Sequence, residues 1–146
     1  MTGKTKKTIL LGVIVVILFI AGVAYYMYNK GPVDVKNASG KKVMATELYK
    51  TFSTDSTTAK KQFLEKILEV AGTVTKLSQN QQNQAVVLLK TPAEGAFVNC
   101  TLEGPVNDVK EGDNIIIKGI CSGIGEGDAD LGIAGDVYLI RCYLIK

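Results

Sequence analysis

The chain has 146 residues, 17 of them basic and 14 acidic, and it contains no histidine. This length leaves room for one domain of common size once the apolar N-terminal segment is set apart. Without histidine, the Ser-His-Asp and Cys-His arrangements of nucleophilic catalysis are excluded, so we expect neither enzymatic activity nor a cofactor.

An uninterrupted apolar run opens the chain: ILLGVIVVILFIAGVA at residues 9–24, extended by YYMY. About 20 apolar residues in a helix cross the ~30 Å hydrocarbon core of a bilayer. We therefore predict a basic tail over residues 1–7 and one transmembrane helix over residues 8–28, with the lipid bilayer as a partner. Cleavage of a signal peptide after Gly22-Val23-Ala24 is the alternative.

The lysines that flank this run bear on its orientation. Lys4, Lys6 and Lys7 precede it, while Lys30 and Lys36 follow it, so the charge difference across the span is small. A short basic tail before an apolar run also resembles an export signal. We predict a single-pass protein with a cytoplasmic N-terminus and its domain outside; the inverted topology is the alternative.

Two short helices are predicted to follow a polar linker over residues 29–42, which contains Gly, Pro, Asn and Ser. Met44, Leu48 and Phe52 recur at helical spacing. Asp55, Ser56 and Thr57 are candidate caps for a second helix that runs to Leu64. These helices begin a domain that we predict over residues 43–146.

The pattern changes to strand-like alternation after Glu65. Gly72 and Gly119 lie in the middle of predicted strands, as expected where a small barrel curls tightly. In the last strand we expect a bulge that keeps both Leu139 and Ile140 in the core. The five predicted strands cover residues 67–77, 85–90, 97–102, 114–121 and 136–145, with a long Gly-rich loop over residues 122–135. The predicted fold is mainly β, a small five-stranded OB-like barrel with a helical prelude; a sandwich or open sheet is the alternative.

Several short motifs resemble the tRNA-anti-like family, whose members are bacterial OB-fold domains often found behind a signal or membrane anchor. The motifs are LYKTF (48–52), EVAGTV (69–74), VNC (98–100), EGDNIIIKGICSG (111–123) and DVYLIRCYL (136–144). The resemblance spans residues 45–146. It implies an OB fold, and the family name implies similarity to anticodon-binding domains in fold alone.

Three cysteines, Cys100, Cys121 and Cys142, recur at intervals of 21 residues. They lack a C-x-x-C knuckle, which argues against a metal site. In the OB topology the third and fifth strands are parallel neighbours, which would bring Cys100 close to Cys142. A Cys100–Cys142 disulfide and three buried thiols are both open for an exported domain.

Acidic residues are concentrated in the loop GEGDADLGIAGD. Glu126, Asp128 and Asp130 are the candidate ligands for a hard cation such as Ca²⁺, although the spacing lacks the terminal glutamate of an EF-hand. We therefore expect a solvated acidic loop and no metal.

Binding is the function that an OB barrel first suggests. From Lys41 onward the chain has 12 basic and 13 acidic residues, and its strands offer only Phe97, Tyr138 and Tyr143 for stacking. This composition argues against nucleic acid. We predict a membrane-anchored, non-catalytic binding module facing the envelope, with another envelope protein, a glycan or a peptide as its partner. A nucleic-acid-binding module on the cytoplasmic side is the alternative.

Overall fold

A computed structural model describes residues 3–31, 33–128 and 130–145. The chain divides into two compact units, residues 1–33 and residues 34–146.

The first unit is one helix, α1 (Gly3–Asn29), in which no residue is buried. Its most apolar 18-residue window has a mean hydropathy of 2.8. By length and composition α1 can cross a bilayer once, and an N-terminal signal sequence has the same properties. The predicted span is confirmed as an apolar helix, and the helix also includes the lysines of the predicted tail from Gly3 onward.

The second unit is a closed barrel of five strands with one additional strand and two short helices. Its elements are β1 (Lys41–Met44), α2 (Ala45–Thr54), α3 (Ser56–Phe63), β2 (Ile67–Gln79), β3 (Ala85–Lys90), β4 (Phe97–Leu102), β5 (Asn114–Ile124) and β6 (Val137–Leu144). The strand order is β1-β2-β3-β4-β6-β5, and β5 also pairs with β2 to close the barrel. The predicted OB-like barrel is therefore confirmed.

The strand pairing has the polarity that the OB topology predicts. β4 and β6 are parallel, while β2–β3, β3–β4, β5–β6 and β2–β5 are antiparallel. Side chains alternate along each strand, so one face of each strand fills the interior of the barrel. The predicted inward sets in β4 (Val98, Cys100, Leu102) and in β5 (Ile115, Ile117, Cys121) are all buried.

The two helices close the barrel interior. Leu48, Tyr49 and Phe52 of α2 are buried in the same core as the strands, and the Phe52 and Phe63 rings lie 6.2 Å apart. Asp55 caps α3, as predicted, because its carboxylate accepts a hydrogen bond from the Thr58 N–H at 3.0 Å. The cap hydrogen bonds also hold the pKa of Asp55 below its ordinary value.

The compact unit begins within the stretch predicted as a linker. Val35 is buried, Asp34 accepts hydrogen bonds from Asn37, and the Lys118 ammonium donates to the Ala38 carbonyl at 2.9 Å. Strand β1 was also not predicted, because only Val43 among its four residues faces inward and so short a segment shows no alternation.

Two further details differ from the sequence prediction. Ile140 is 44% exposed, because the bulge places Arg141 at a φ of +53° and returns Cys142, rather than Ile140, to the interior. The predicted long loop is shorter than expected: β5 continues to Ile124, and the next residues fold back as a narrow hairpin with a bridge between Asp128 and Ile133.

Candidate functional site: an apolar groove across three strands

Two adjoining cavities on the outer face of the sheet share Met44, Ala71 and Ile116 in their walls. Their volumes are about 610 and 440 Å³. Because they share these walls, they form one groove that crosses β1, β2 and β5, and we call it the apolar groove.

The strand register explains why these three side chains meet. Ala71 pairs with Met44 on one side and with Ile116 on the other, so the three residues form one cross-strand row. Their inward neighbours along the strands, such as Val70 and Ile117, fill the core, which leaves the row on the outer face. Ile145 extends the row, because its N–H donates to the Ile116 carbonyl at 2.9 Å.

A charged row and a polar row flank the apolar one. Lys42, Glu69 and Lys118 pair across the same three strands, and the Lys118 ammonium lies 3.5 Å from the Glu69 carboxylate. On the opposite side, the Thr73 hydroxyl donates to the Asn114 side-chain oxygen at 2.7 Å. The groove therefore offers an ionic row, an apolar row and a polar pair in succession.

Local hydrogen bonds and close packing hold the end of the groove that lies at the turn after β3. The Thr91 hydroxyl is buried and donates to the Ala96 carbonyl at 2.6 Å, which fixes the turn after β3. At the floor, Gly72 permits close packing, since a Cβ there would lie 3.0 Å from the Ala45 Cβ and 3.2 Å from the Leu89 Cβ. The start of α2 is thereby held against the barrel.

A separate cavity of about 610 Å³ lies outside the apolar groove, between the β2–β3 turn and the segment after β4. The amides of this turn are engaged with one another. The Asn80 side-chain oxygen accepts from the N–H groups of Gln82 and Gln84, both at 2.9 Å, and its amide donates to the Gln84 side chain. Among the polar side chains that line this cavity, that of Gln84 is therefore engaged within the turn.

All three cysteines are free and fully buried. The Cys100 thiol points to the Val98 carbonyl at 3.9 Å. The neighbouring Cys142 thiol and burial raise the pKa of Cys100 well above its ordinary value. Burial raises the pKa of Cys121, and a hydrogen bond from the Gly123 backbone partly offsets this rise. The Cys100–Cys142 disulfide stays a prediction, and both cysteines are free thiols in the structure.

The acidic hairpin uses its carboxylates within the loop. Asp128 accepts hydrogen bonds from the N–H groups of Asp130 and Leu131, at 3.0 and 3.1 Å. Asp136 accepts from the Phe97 N–H at 2.9 Å and so ties the hairpin to β4. Among the described residues, Glu126, Asp128 and Asp130 do not form a cluster of three metal-ligating groups.

The aromatic side chains expected for nucleic-acid stacking have different surroundings, and Tyr143 lines a cavity of about 410 Å³ with Lys36 and Lys118. Tyr138 is 42% exposed and lies over Gly125. The Tyr143 hydroxyl donates to the Glu103 carboxylate at 2.9 Å, which raises the pKa of Tyr143, and Arg141 lies 3.6 Å from the same carboxylate. The acidic partner neutralises the one arginine of the chain.

Sequence reasoning did not find the apolar groove. Ala71 and Ile116 each look like ordinary strand residues, and Met44 was assigned to a helix rather than to β1. The row exists only once three strands are aligned in register, which no local pattern specifies. The available signal was one outward-facing apolar residue on each of two predicted strands, Ala71 and Ile116.

The closed barrel and its apolar groove define a single OB-type module that follows a helix of membrane-spanning length. The tRNA_anti-like family matches residues 1–130, and the chain belongs to this family. The match includes the apolar helix and ends before β6, whereas the resemblance of the motifs runs from residue 45 to the end of the chain. A search of curated proteins found no match.

Proposed function

We propose that this protein is a membrane-anchored, non-catalytic OB-fold module that binds an extended peptide segment of another envelope protein in the apolar groove. The observation that carries the proposal is the row of Met44, Ala71 and Ile116 on the outer face of the sheet. Met44 is 58% exposed at the edge-strand end of this row, so the row presents apolar surface to a partner.

The spacing of the rows supports a peptide as the ligand. Successive outward rows of a sheet are two residues apart, about 7 Å, and the side chains on one face of an extended peptide repeat at the same distance. A peptide that runs parallel to the strands would pass from row to row. It would place one apolar side chain on the central row and polar side chains on the two flanking rows. β1 is also the edge strand of the sheet, where an added strand can pair.

The groove chemistry supports binding rather than catalysis. Two of the three threonine hydroxyls that line it take part in structural hydrogen bonds: Thr73 donates to Asn114, and Thr91 donates to the Ala96 carbonyl. A hydroxyl becomes a nucleophile when it donates to an adjacent general base, and these two hydroxyls donate to an amide oxygen and a backbone carbonyl instead. Glu69 is paired with Lys118 and serves as an ion-pair partner.

Export of the domain is part of the proposal, and the nucleic-acid alternative requires the opposite topology. Matched reporters fused after the last residue of the full chain distinguish the two. We expect an alkaline phosphatase fusion to be active and a cytoplasmic fluorescent-protein fusion to be dark. The reverse pattern would overturn the export and leave the nucleic-acid module as the better account.

A further inference from the structure

We propose that the bound peptide adds to β1 as an edge strand and that Lys42 selects a carboxylate on it, two residues from its apolar side chain. This inference rests on the proposed function and specifies the ligand of that site. β1 pairs with β2 along one side, and among the described residues no strand pairs with its other side. An edge of this kind presents backbone N–H and C=O groups to an added strand.

The cross-strand rows of the apolar groove end at this edge. Met44 is the β1 member of the apolar row, and Lys42 is the β1 member of the ionic row. Both side chains lie on the outer face, since Val43 between them is buried. A strand added beside β1 would extend each row by one residue. Its apolar side chain would lie next to Met44, and the side chain two residues away would lie next to Lys42.

Lys42 is the exposed charge of the ionic row. The other two members pair with each other: the Lys118 and Glu69 side chains are only 13% and 19% exposed, and their charged groups lie 3.5 Å apart. Lys42 is exposed and forms no ion pair among the described residues, although Glu47 of α2 lines the same cavity. The complementary group for its ammonium is a carboxylate on the added strand.

Charge also decides between a foreign segment and a second copy of this chain. Two of the four residues of β1 are lysines, Lys41 and Lys42. Lysines on an edge strand oppose pairing with an identical strand, because like charges would then lie close to one another. An acidic segment would be attracted by the same lysines. The edge therefore favours an acidic partner over a copy of itself.

Labelled nine-residue peptides test this preference on the detergent-solubilised full chain. Each peptide consists of Thr and Val around a central Leu, and the residues two positions before and after Leu are both Glu, both Gln or both Lys. One of these two residues would meet Lys42 in either strand direction. In fluorescence anisotropy at low salt, we expect the Glu peptide to bind about two- to fivefold more tightly than the Gln peptide, and the Lys peptide to bind most weakly.

Two neighbouring lysines provide a matched pair of variants. Lys42→Gln should abolish the difference between the Glu and Gln peptides. Lys41→Gln removes the same charge from the same strand, but the Lys41 ammonium lies 4.6 Å from the centre of the Phe63 ring, on the other face of β1. The difference between the peptides should therefore persist in Lys41→Gln.

The outcomes separate this inference from the proposed function. Equal binding of all three peptides to the wild-type chain would overturn the inference and leave the proposed function standing. A difference that survives Lys42→Gln, or that Lys41→Gln removes, would overturn the role of Lys42. If none of the peptides binds, both the edge-strand ligand and the proposed peptide-binding function fail.

Discussion

Gly119 lies directly beneath the Cys142 side chain. A Cβ at position 119 would overlap the Cys142 Sγ and come within 3.2 Å of the Ile140 carbonyl oxygen. Position 119 in the middle of β5 therefore requires glycine, because any side chain there would overlap Cys142 of β6. The bulge in β6 brings Cys142 this close to β5.

This contact predicts a coupled pair of substitutions. Gly119→Ala inserts a methyl group into a closed interior, and overpacking of this kind costs about 1–3 kcal/mol in the free energy of unfolding. Cys142→Ala removes the overlapping sulfur, so the double variant should lose less stability than the sum of the two single variants. Urea unfolding of all three variants measures this coupling, with Gly104→Ala as a control whose Cβ would meet the Tyr143 Cδ1 at an unstrained 4.0 Å. Strict additivity would contradict it.

The packing of α2 against the barrel makes a second prediction. Leu48 is fully buried in the core that the helix shares with the strands. We expect Leu48→Ala to lower the free energy of unfolding by about 2–5 kcal/mol. Lys50→Ala, on the exposed side of the same helix, should leave stability nearly unchanged. Equal effects of the two substitutions would contradict the assigned helix face.

The Asp55 cap predicts a dependence on pH. Hydrogen bonds from Thr58 lower the pKa of Asp55 in the folded state. The stabilisation is therefore present above the pKa of the unfolded state and is lost as pH falls through the lower folded pKa. Asp55→Ala should lower the urea midpoint at neutral pH, with a shrinking difference from wild type in strong acid. A difference that stays constant down to strong acid would assign the effect to something other than the carboxylate.

The sequence predicted the parts of the fold that depend on local pattern. The five barrel strands and the Asp55 cap agree with the structure because alternation and capping act over a few residues. β1 was missed because four residues carry no visible period, and Ile140 was misplaced because the phase of a bulge depends on the partner strands. The apolar groove depends on register across β1, β2 and β5, which only the closed barrel fixes.

The central claim is that Met44, Ala71 and Ile116 form a surface that binds a peptide segment in the cell. Its most direct test places a photo-crosslinking benzoylphenylalanine at Met44 in the full-length protein, with Thr75, exposed on β2 and outside the groove, as the control position. Illumination of cells should give one adduct of defined mass from position 44 and none from position 75.

The same measurement includes a variant that should abolish the adduct. Ala71→Glu places a carboxylate in the middle of the apolar row, and burying it against an apolar ligand would be costly. We predict loss of the position 44 adduct in Ala71→Glu, at unchanged circular dichroism, and its retention in Thr75→Glu. The same adducts from both positions, or an adduct that survives Ala71→Glu, would contradict the assignment of the groove as the binding surface.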